Sequence, residues 1–309
     1  MRPTSYLKCP LLFLLLSILA AAGCSETGTE GMSGFEKKEF EWRNSRERAL
    51  RDSTSWLSIA GLYWLDKGVN SFGSSSRNSI ILPTGSAPDY AGDIIVGEGT
   101  VGFRTEPGSG VTLEGKTLSE GVLRTDADGE PDRLSLNDLR MWVIERGGRP
   151  ALRLRDLNSS RYTEFRGLDF YPPREPYRVE GDFVAFDTVR TVALPTMVGT
   201  ETEMNSPGYV MFKLRGRQLR LDLLGTGEDD HFIIFTDGTS GVETYGACRF
   251  MSAKNPGNGK IELNFNRAVN PPCAYTPYAT CPLPPSRNHL PVRIEAGEKK
   301  YPGAGPGRH

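Results

Sequence analysis

Residues 141–156 read MWVIERGGRPALRLRD, and this stretch decides the fold. Two apolar-bearing runs flank Gly147 and Gly148, a pair that supplies the positive φ values a tight hairpin turn demands. Leu152 and Leu154 alternate with Arg153 and Arg155, a period of two that predicts one buried face and one wet face. Outward from the hairpin the language remains strand and turn. Toward the N-terminus, Leu57, Ile59, Leu62 and Trp64 precede Gly68, and residues 79–82 form an apolar run stopped by Pro83. Toward the C-terminus, beyond a proline-bearing junction at 170–176, residues 177–186, 208–214, 218–224, 232–235, 244–250, 261–265 and 292–295 read as strands. With 35 Gly and 22 Pro in 309 residues, a turn-rich β protein is favoured over a helical bundle. The expected fold is mainly β, with two packed β units that are sandwich- or barrel-like and one N-terminal amphipathic helix. The first unit with its helix spans 35–166, the second spans 167–301, and the boundary falls near 166–176.

The helix is expected over residues 35–50, with Trp42, Ala49 and Leu50 on the packed face and charges elsewhere. Before it, residues 25–34 are small and polar. A coil of that length spans roughly 17–19 Å. Earlier still, Arg2 and Lys8 form a positive start, residues 11–22 a short apolar run, and Ala21-Ala22-Gly23-Cys24 a small-residue cleavage site. Residues 1–23 resemble a bacterial lipoprotein signal peptide, which implies that Cys24 is the lipidated first residue and that 24–34 is a flexible tether. Ser25 after the cysteine implies outer-membrane sorting, with the body facing the periplasm. An ordinary secretory signal cut near Ala22 would leave Cys24 an unmodified thiol. On either reading the body leaves the cytoplasm and Cys9 is removed. Residues 302–309 are expected to be a disordered tail.

Lys plus Arg total 37 and Asp plus Glu 38, so nothing recommends nucleic acid as a partner. The stretch NFNRAVNPPCAYTPYATCPLPP (residues 264–285) is the most distinctive local sequence. Its prolines fix φ and remove backbone donors, giving a stiff segment that is neither helix nor strand. Cys273 and Cys281 enclose a nine-residue loop and form the natural candidate disulfide in an oxidising envelope, leaving Cys248 over. Closing that loop would contribute roughly 2.5 kcal/mol. C-x7-C is not a zinc spacing and His231 and His289 are the only histidines of the folded part, so neither a metal nor a cofactor is called for. Gly238-Thr239-Ser240-Gly241 lacks the G-x-S-x-G frame of a nucleophile turn, Cys248 has no adjacent base, and Glu228-Asp229-Asp230-His231 reads as a charged loop before a strand.

A candidate ligand-binding set remains: Glu243, Tyr245, Arg249, Asn266, Arg267, Asn270, Tyr275 and Tyr278. Arginine offers a planar fork for carboxylate or phosphate, asparagine donates and accepts, and tyrosine gives a flat face with a polar tip. Such a set suits a small polar ligand, a glycan or a peptide. The competing readings are an envelope hydrolase with Glu243 or Asp237 as acid or base, and a structural interaction protein in which these groups satisfy one another.

GTSGVETYGACRF (238–250), IELNFNRAVNPPCAYTPYATCPLPP (261–285) and NHLPVRIEAGEKKY (288–301) together resemble the bacterial family of unknown function 1684 (DUF1684). SWLSIAGLYWLDKGVNSFGS (55–74) and the 141–156 hairpin are similar to earlier segments of that family. The resemblance implies a fold and no activity. The family mostly has glycine where Cys248 stands, so a chemistry common to it does not depend on that thiol. More weakly, residues 68–73 and 78–83 resemble the opening strands of a forkhead-associated sandwich. Ser74 follows Gly73 where that fold's arginine would stand and no histidine lies in this half, so a phosphopeptide site has no support.

Overall fold

A computed structural model describes residues 1, 31–225, 230–255 and 257–302. The expected signal apart from Met1, the expected lipidation position Cys24, most of the expected tether and all but Pro302 of the expected tail lie outside the described residues. The N-terminal helix α1 (Gly34–Leu50) opens on a capping box. The Ser33 hydroxyl accepts from the Glu36 amide at 3.2 Å while the Ser33 amide donates to the Glu36 carboxylate at 2.8 Å. Its packed face differs from expectation. Ala49 is exposed and Trp42 only half-buried, edge-on to Phe170 at 6.4 Å; of the three expected residues Leu50 alone is buried. The inward stripe is Glu39, Arg43, Arg46 and Leu50, spaced four, three and four residues apart. Charged residues line it because partners from far along the chain satisfy them. Glu39 accepts from Arg267 Nε at 3.0 Å and Asn264 Nδ2 at 2.9 Å, Arg43 donates to the Tyr171 carbonyl at 2.7 Å, and Arg46 Nε donates to Glu298 at 2.8 Å.

Ten strands follow: β1 (Ile59–Trp64), β2 (Gly68–Gly73), β3 (Ile80–Ile81), β4 (Gly92–Val96), β5 (Val101–Thr105), β6 (Thr112–Leu113), β7 (Glu120–Leu123), β8 (Leu134–Leu136), β9 (Leu139–Arg146) and β10 (Arg149–Asp156). They form two five-stranded sheets, ordered β1-β10-β9-β8-β6 and β3-β2-β4-β5-β7. One core joins them, with Phe72, Ile94 and Phe103 from one sheet against Met141, Val143, Leu152 and Leu154 from the other. In the β9–β10 hairpin Arg146 stands opposite Arg149, and Gly147 and Gly148 take φ of 56° and 70° as the sequence requires. The other face of β10 is not wet, however. Arg153 is 5 % exposed and stacks over Trp56 at 5.3 Å. The proline-rich segment covers this side of the sheet, where Thr276 donates to the Ile59 carbonyl at 2.9 Å and Arg146 Nε to Thr280 at 3.4 Å. Burial pushes the Arg153 guanidinium down to about 10.

Past a short helix α2 (Ser160–Thr163), six strands build the third sheet: β11 (Arg178–Pro195), β12 (Glu201–Leu214), β13 (Arg217–Leu223), β14 (Asp230–Phe235), β15 (Arg249–Lys254) and β16 (Lys260–Asn264). Their order is β13-β12-β11-β16-β15-β14, and a bridge between Leu224 and Phe232 draws the two ends together, so the sheet curls into a half-barrel. Phe212, Leu221, Phe235, Leu263 and Phe265 fill its interior. β11 and β12 run past the half-barrel as a long arm after a register shift between Ala185 and Arg190. Two expected strands are corrected. Residues 244–248 are an isolated bridge at Thr244 followed by bends, and β15 starts only at Arg249, because the Thr239 carbonyl, itself held in place by Thr239 N–H at 2.7 Å on Asp237, collects the Glu243 N–H at 3.0 Å and the Thr244 N–H at 3.1 Å. Residues 292–295 are irregular, since Ile294 N–H bonds Asp237 at 3.2 Å and the Ile294 carbonyl accepts from Arg249 at 3.2 Å.

Replacing Glu39 by alanine leaves Arg267 and Asn264 without their shared acceptor. Urea unfolding should show a loss of about 3 kcal/mol, the range for breaking one side of a buried pair.

Candidate functional site

Arg249 emerges from the start of β15 into the interior. It pairs with Asp237 at 2.8 Å, and both side chains are shut off from solvent. Its Nη1 also donates to the Ile294 carbonyl and its Nη2 to the Ala296 carbonyl, so the guanidinium clamps the C-terminal segment to the half-barrel, while Nε is buried without a protein partner among the described residues. Gly297 makes room for the clamp: with φ +80°, a Cβ there would lie 2.4 Å from the Ala268 carbonyl oxygen and 2.8 Å from Arg249 Nη2.

The other expected residues are also engaged with protein. Asn266 is fully buried, and its side chain accepts from the Arg174 amide and donates to the Arg174 carbonyl, both at 2.9 Å. Asn270 and Tyr275 share one carboxylate: the Asn270 amide lies 2.7 Å and the Tyr275 hydroxyl 2.9 Å from Glu298 Oε2. Burial, then Glu298, holds the Tyr275 phenol well above its usual range. The Tyr245 hydroxyl donates to the Cys273 carbonyl at 3.1 Å, and burial raises it too. Glu243 pairs at the surface with Arg293. Tyr278 lies under the Arg161 guanidinium at 5.4 Å. The eight residues therefore do not converge on one cavity. Asn270 and Tyr275 meet on Glu298, while Arg267 and Asn264, the residue before Phe265, meet on Glu39. Glu39, Arg46 and Glu298, the partners of this network, carry no local sequence signal; their roles arise from contacts more than 200 positions apart.

Of the set, Arg267 reaches a concave surface. It lines two adjoining hollows of about 350 and 310 Å³ between α1 and strands β14–β16, which share Lys254, Glu262, Asn264 and Arg267. Phe35, Lys38 and Arg178 bound the first; Trp42, Phe232 and Phe250 bound the second. The Arg267 guanidinium sits 5.7 Å from the Trp42 ring and keeps 35 % of its side chain exposed. Mixed charge beside aromatic walls is the lining that orients a polar ligand with apolar faces.

The three thiols are free, so no bridge joins Cys273 to Cys281 in this structure. The two are nonetheless adjacent, with the Cys273 amide donating to Cys281 Sγ at 3.2 Å. The Cys281 thiol as donor pulls Cys273 down and is itself raised, while burial raises Cys248. Among the described residues no group of His, Cys, Asp and Glu is arranged to hold a metal.

A sequence model of the family described as "Protein of unknown function (DUF1684)" matches residues 163–299. The chain belongs to this family. No curated protein matches it. Among solved structures, an uncharacterized protein of Haloarcula marismortui determined by solution NMR is similar at 30% identity, over 44% of this chain and 78% of that one, with a TM-score of 0.38. A chain from a study of phosphothreonine-dependent FHA domain interactions is similar at 17% identity, over 29% of this chain and 79% of that one, with a TM-score of 0.21. The DUF1684 match contains β11–β16, the Arg249–Asp237 clamp and Glu298, whereas Glu39, Arg43 and Arg46 precede it. The half-barrel thus carries the carboxylate and arginine that the helix outside the matched segment satisfies.

Arg249→Ala should strand the Asp237 carboxylate in the DUF1684 half-barrel. Denaturant titration should show a loss of about 3 to 5 kcal/mol, whereas Glu243→Ala at the surface pair should cost under about 1 kcal/mol.

Proposed function

We propose that the protein is a lipid-anchored envelope protein that binds a small polar ligand, glycan or peptide through its C-terminal β unit, in the groove beneath α1. The observation that carries this reading is the position of Arg267: fixed by Glu39, lying against Trp42, and still presenting exposed surface to a hollow that Lys254 and Glu262 share. Preorganisation of this kind lowers the entropy cost of holding a ligand. The hydrolase reading finds less support, because Asp237 is committed to Arg249 and Glu243 to Arg293. The interaction-protein reading is supported by the mutual pairing of the other candidate residues.

Anchoring rests on Cys24 after a small-residue cleavage site. On this proposal the mature protein partitions into detergent, and Cys24→Ser releases it or stalls processing; soluble wild-type protein in the periplasm would contradict it. The adjacency of Cys273 and Cys281 supports a disulfide formed in the envelope, in which a disulfide-bearing oxidant takes two electrons and the two thiol protons are released. Alkylation and mass spectrometry of protein from the oxidising envelope should find those two cysteines joined and Cys248 free.

The groove is tested by screening short peptides and oligosaccharides by thermal shift and titrating the hits calorimetrically against Lys254→Glu and Trp42→Ala. Both substitutions should weaken binding about tenfold or more, with the Lys254 variant unchanged in stability. Hits that bind the two variants as tightly as wild type would place the ligand elsewhere.

A further inference from the structure

A further concave surface adjoins the half-barrel, and its lining includes none of the eight candidate binding residues. It is a hollow of about 490 Å³ between the long arm of β11, strand β13 and the short helical turn Ser286–Asn288. Arg190, Arg220, Arg287 and His289 bring positive or proton-bearing groups to it from three separate segments, and Asp222 is the one carboxylate in its lining. Leu194 and Pro285 contribute apolar wall.

The segments that carry the cationic groups are held in place. Asn288, fully buried, accepts from the Asp222 amide at 2.7 Å and donates to the Asp222 carbonyl at 3.0 Å and the Ile234 carbonyl at 2.8 Å. This clasp fixes its neighbours Arg287 and His289 at the rim. Thr236 Oγ1 meets His289 Nδ1 at 2.5 Å, which leaves Nε2 as the ring's unengaged nitrogen. Arg220 lies 3.5 Å over the Tyr209 ring and is gripped by Asp222 at 2.7 and 2.9 Å. Arg190 lies 3.7 Å over Phe186. Stacking against aromatic faces removes side-chain entropy before any ligand arrives. Arg220 has its acid, whereas among the described residues Arg190 and Arg287 have no ion-pair partner.

Guanidinium forks arriving from different sides suit the three terminal oxygens of a tetrahedral phosphate better than the two coplanar oxygens of a carboxylate. We propose that this hollow is a binding site for a phosphomonoester, with Arg190 and Arg287 engaging the phosphate oxygens and the Leu194–Pro285 side taking an apolar body. Such a group occurs on free small molecules and on lipid headgroups.

Calorimetric titration of the purified protein with phenyl phosphate at fixed ionic strength tests it, with phenol as the control lacking the anion. Saturable binding of phenyl phosphate is expected, with Arg190→Ala and Arg287→Ala each weakening it about tenfold. Arg287→Lys, which keeps the charge and loses the fork, should fall between wild type and Arg287→Ala. Lys254→Glu, in the groove beneath α1, should leave phenyl phosphate binding unchanged, so the two sites fail or survive separately. Flotation with phosphatidylcholine vesicles, with and without phosphatidic acid, distinguishes the sources. Phosphatidic-acid-dependent flotation lost in the Arg190→Ala/Arg287→Ala double variant assigns the headgroup, and phenyl phosphate binding without such flotation assigns a free phosphomonoester. Absence of saturable phenyl phosphate binding, or equal affinity in a double variant whose circular dichroism matches wild type, overturns the proposal.

Discussion

A carboxylate with almost no solvent must be met by donors, and Glu298, 1 % exposed, is met from three directions. Its Oε1 accepts from Arg46 of α1 at 2.8 Å, while its Oε2 takes the Asn270 amide at 2.7 Å and the Tyr275 hydroxyl at 2.9 Å. One side chain thereby ties the N-terminal helix, the proline-rich segment and the C-terminal run together. Arg249 does the converse, meeting the Asp237 carboxylate and the carbonyls of Ile294 and Ala296. Buried charge of either sign is tolerated here because each is paired with or donated to by side chains and gains further hydrogen bonds from backbone that would otherwise lack a ladder.

The same requirement explains a helix that is charged on its packed face. An apolar stripe could slide or rotate on the half-barrel at small cost, whereas Glu39, Arg43 and Arg46 each find their acceptors or donors in one orientation only. Arg43 adds a stack over Phe170 at 4.6 Å, so its methylenes and guanidinium plane also contribute apolar contact. The helix is positioned by polar geometry and anchored by Leu50 within a small cluster with Leu57, Phe165 and Tyr275.

What was legible in the sequence was local. Gly147 and Gly148 announced their hairpin because turn chemistry is confined to the turn, and the Leu152–Leu154 alternation located the core that Phe72 and Phe103 share. The Arg153 face was misread because its cover, the 273–281 segment, arrives from more than 100 residues away. Residues 244–248 have strand-like composition, yet Asp237 and Thr239 outbid the ladder for their neighbourhood's amides. Of the candidate set, Asn266, Asn270 and Tyr275 face other protein groups, which residue type alone does not reveal. Arg190, Arg220 and Arg287 share a hollow only after β11, β13 and the Asn288 turn have been brought together, which no spacing rule encodes.

Arg267 shows how the two kinds of polar group differ. Asn266, next to it, is fully buried and has its side chain spent on Arg174 and Asn264, so it has nothing left for a ligand. Arg267 gives Nε to Glu39 and keeps part of its fork at the surface of the groove. A guanidinium whose one edge is pinned by a buried carboxylate can meet an incoming acceptor with its other edge at little further loss of freedom. Because Glu39 belongs to α1, the seating of that helix sets where the exposed edge points, and the integrity of the helix contact and the shape of the groove are therefore one property of the fold.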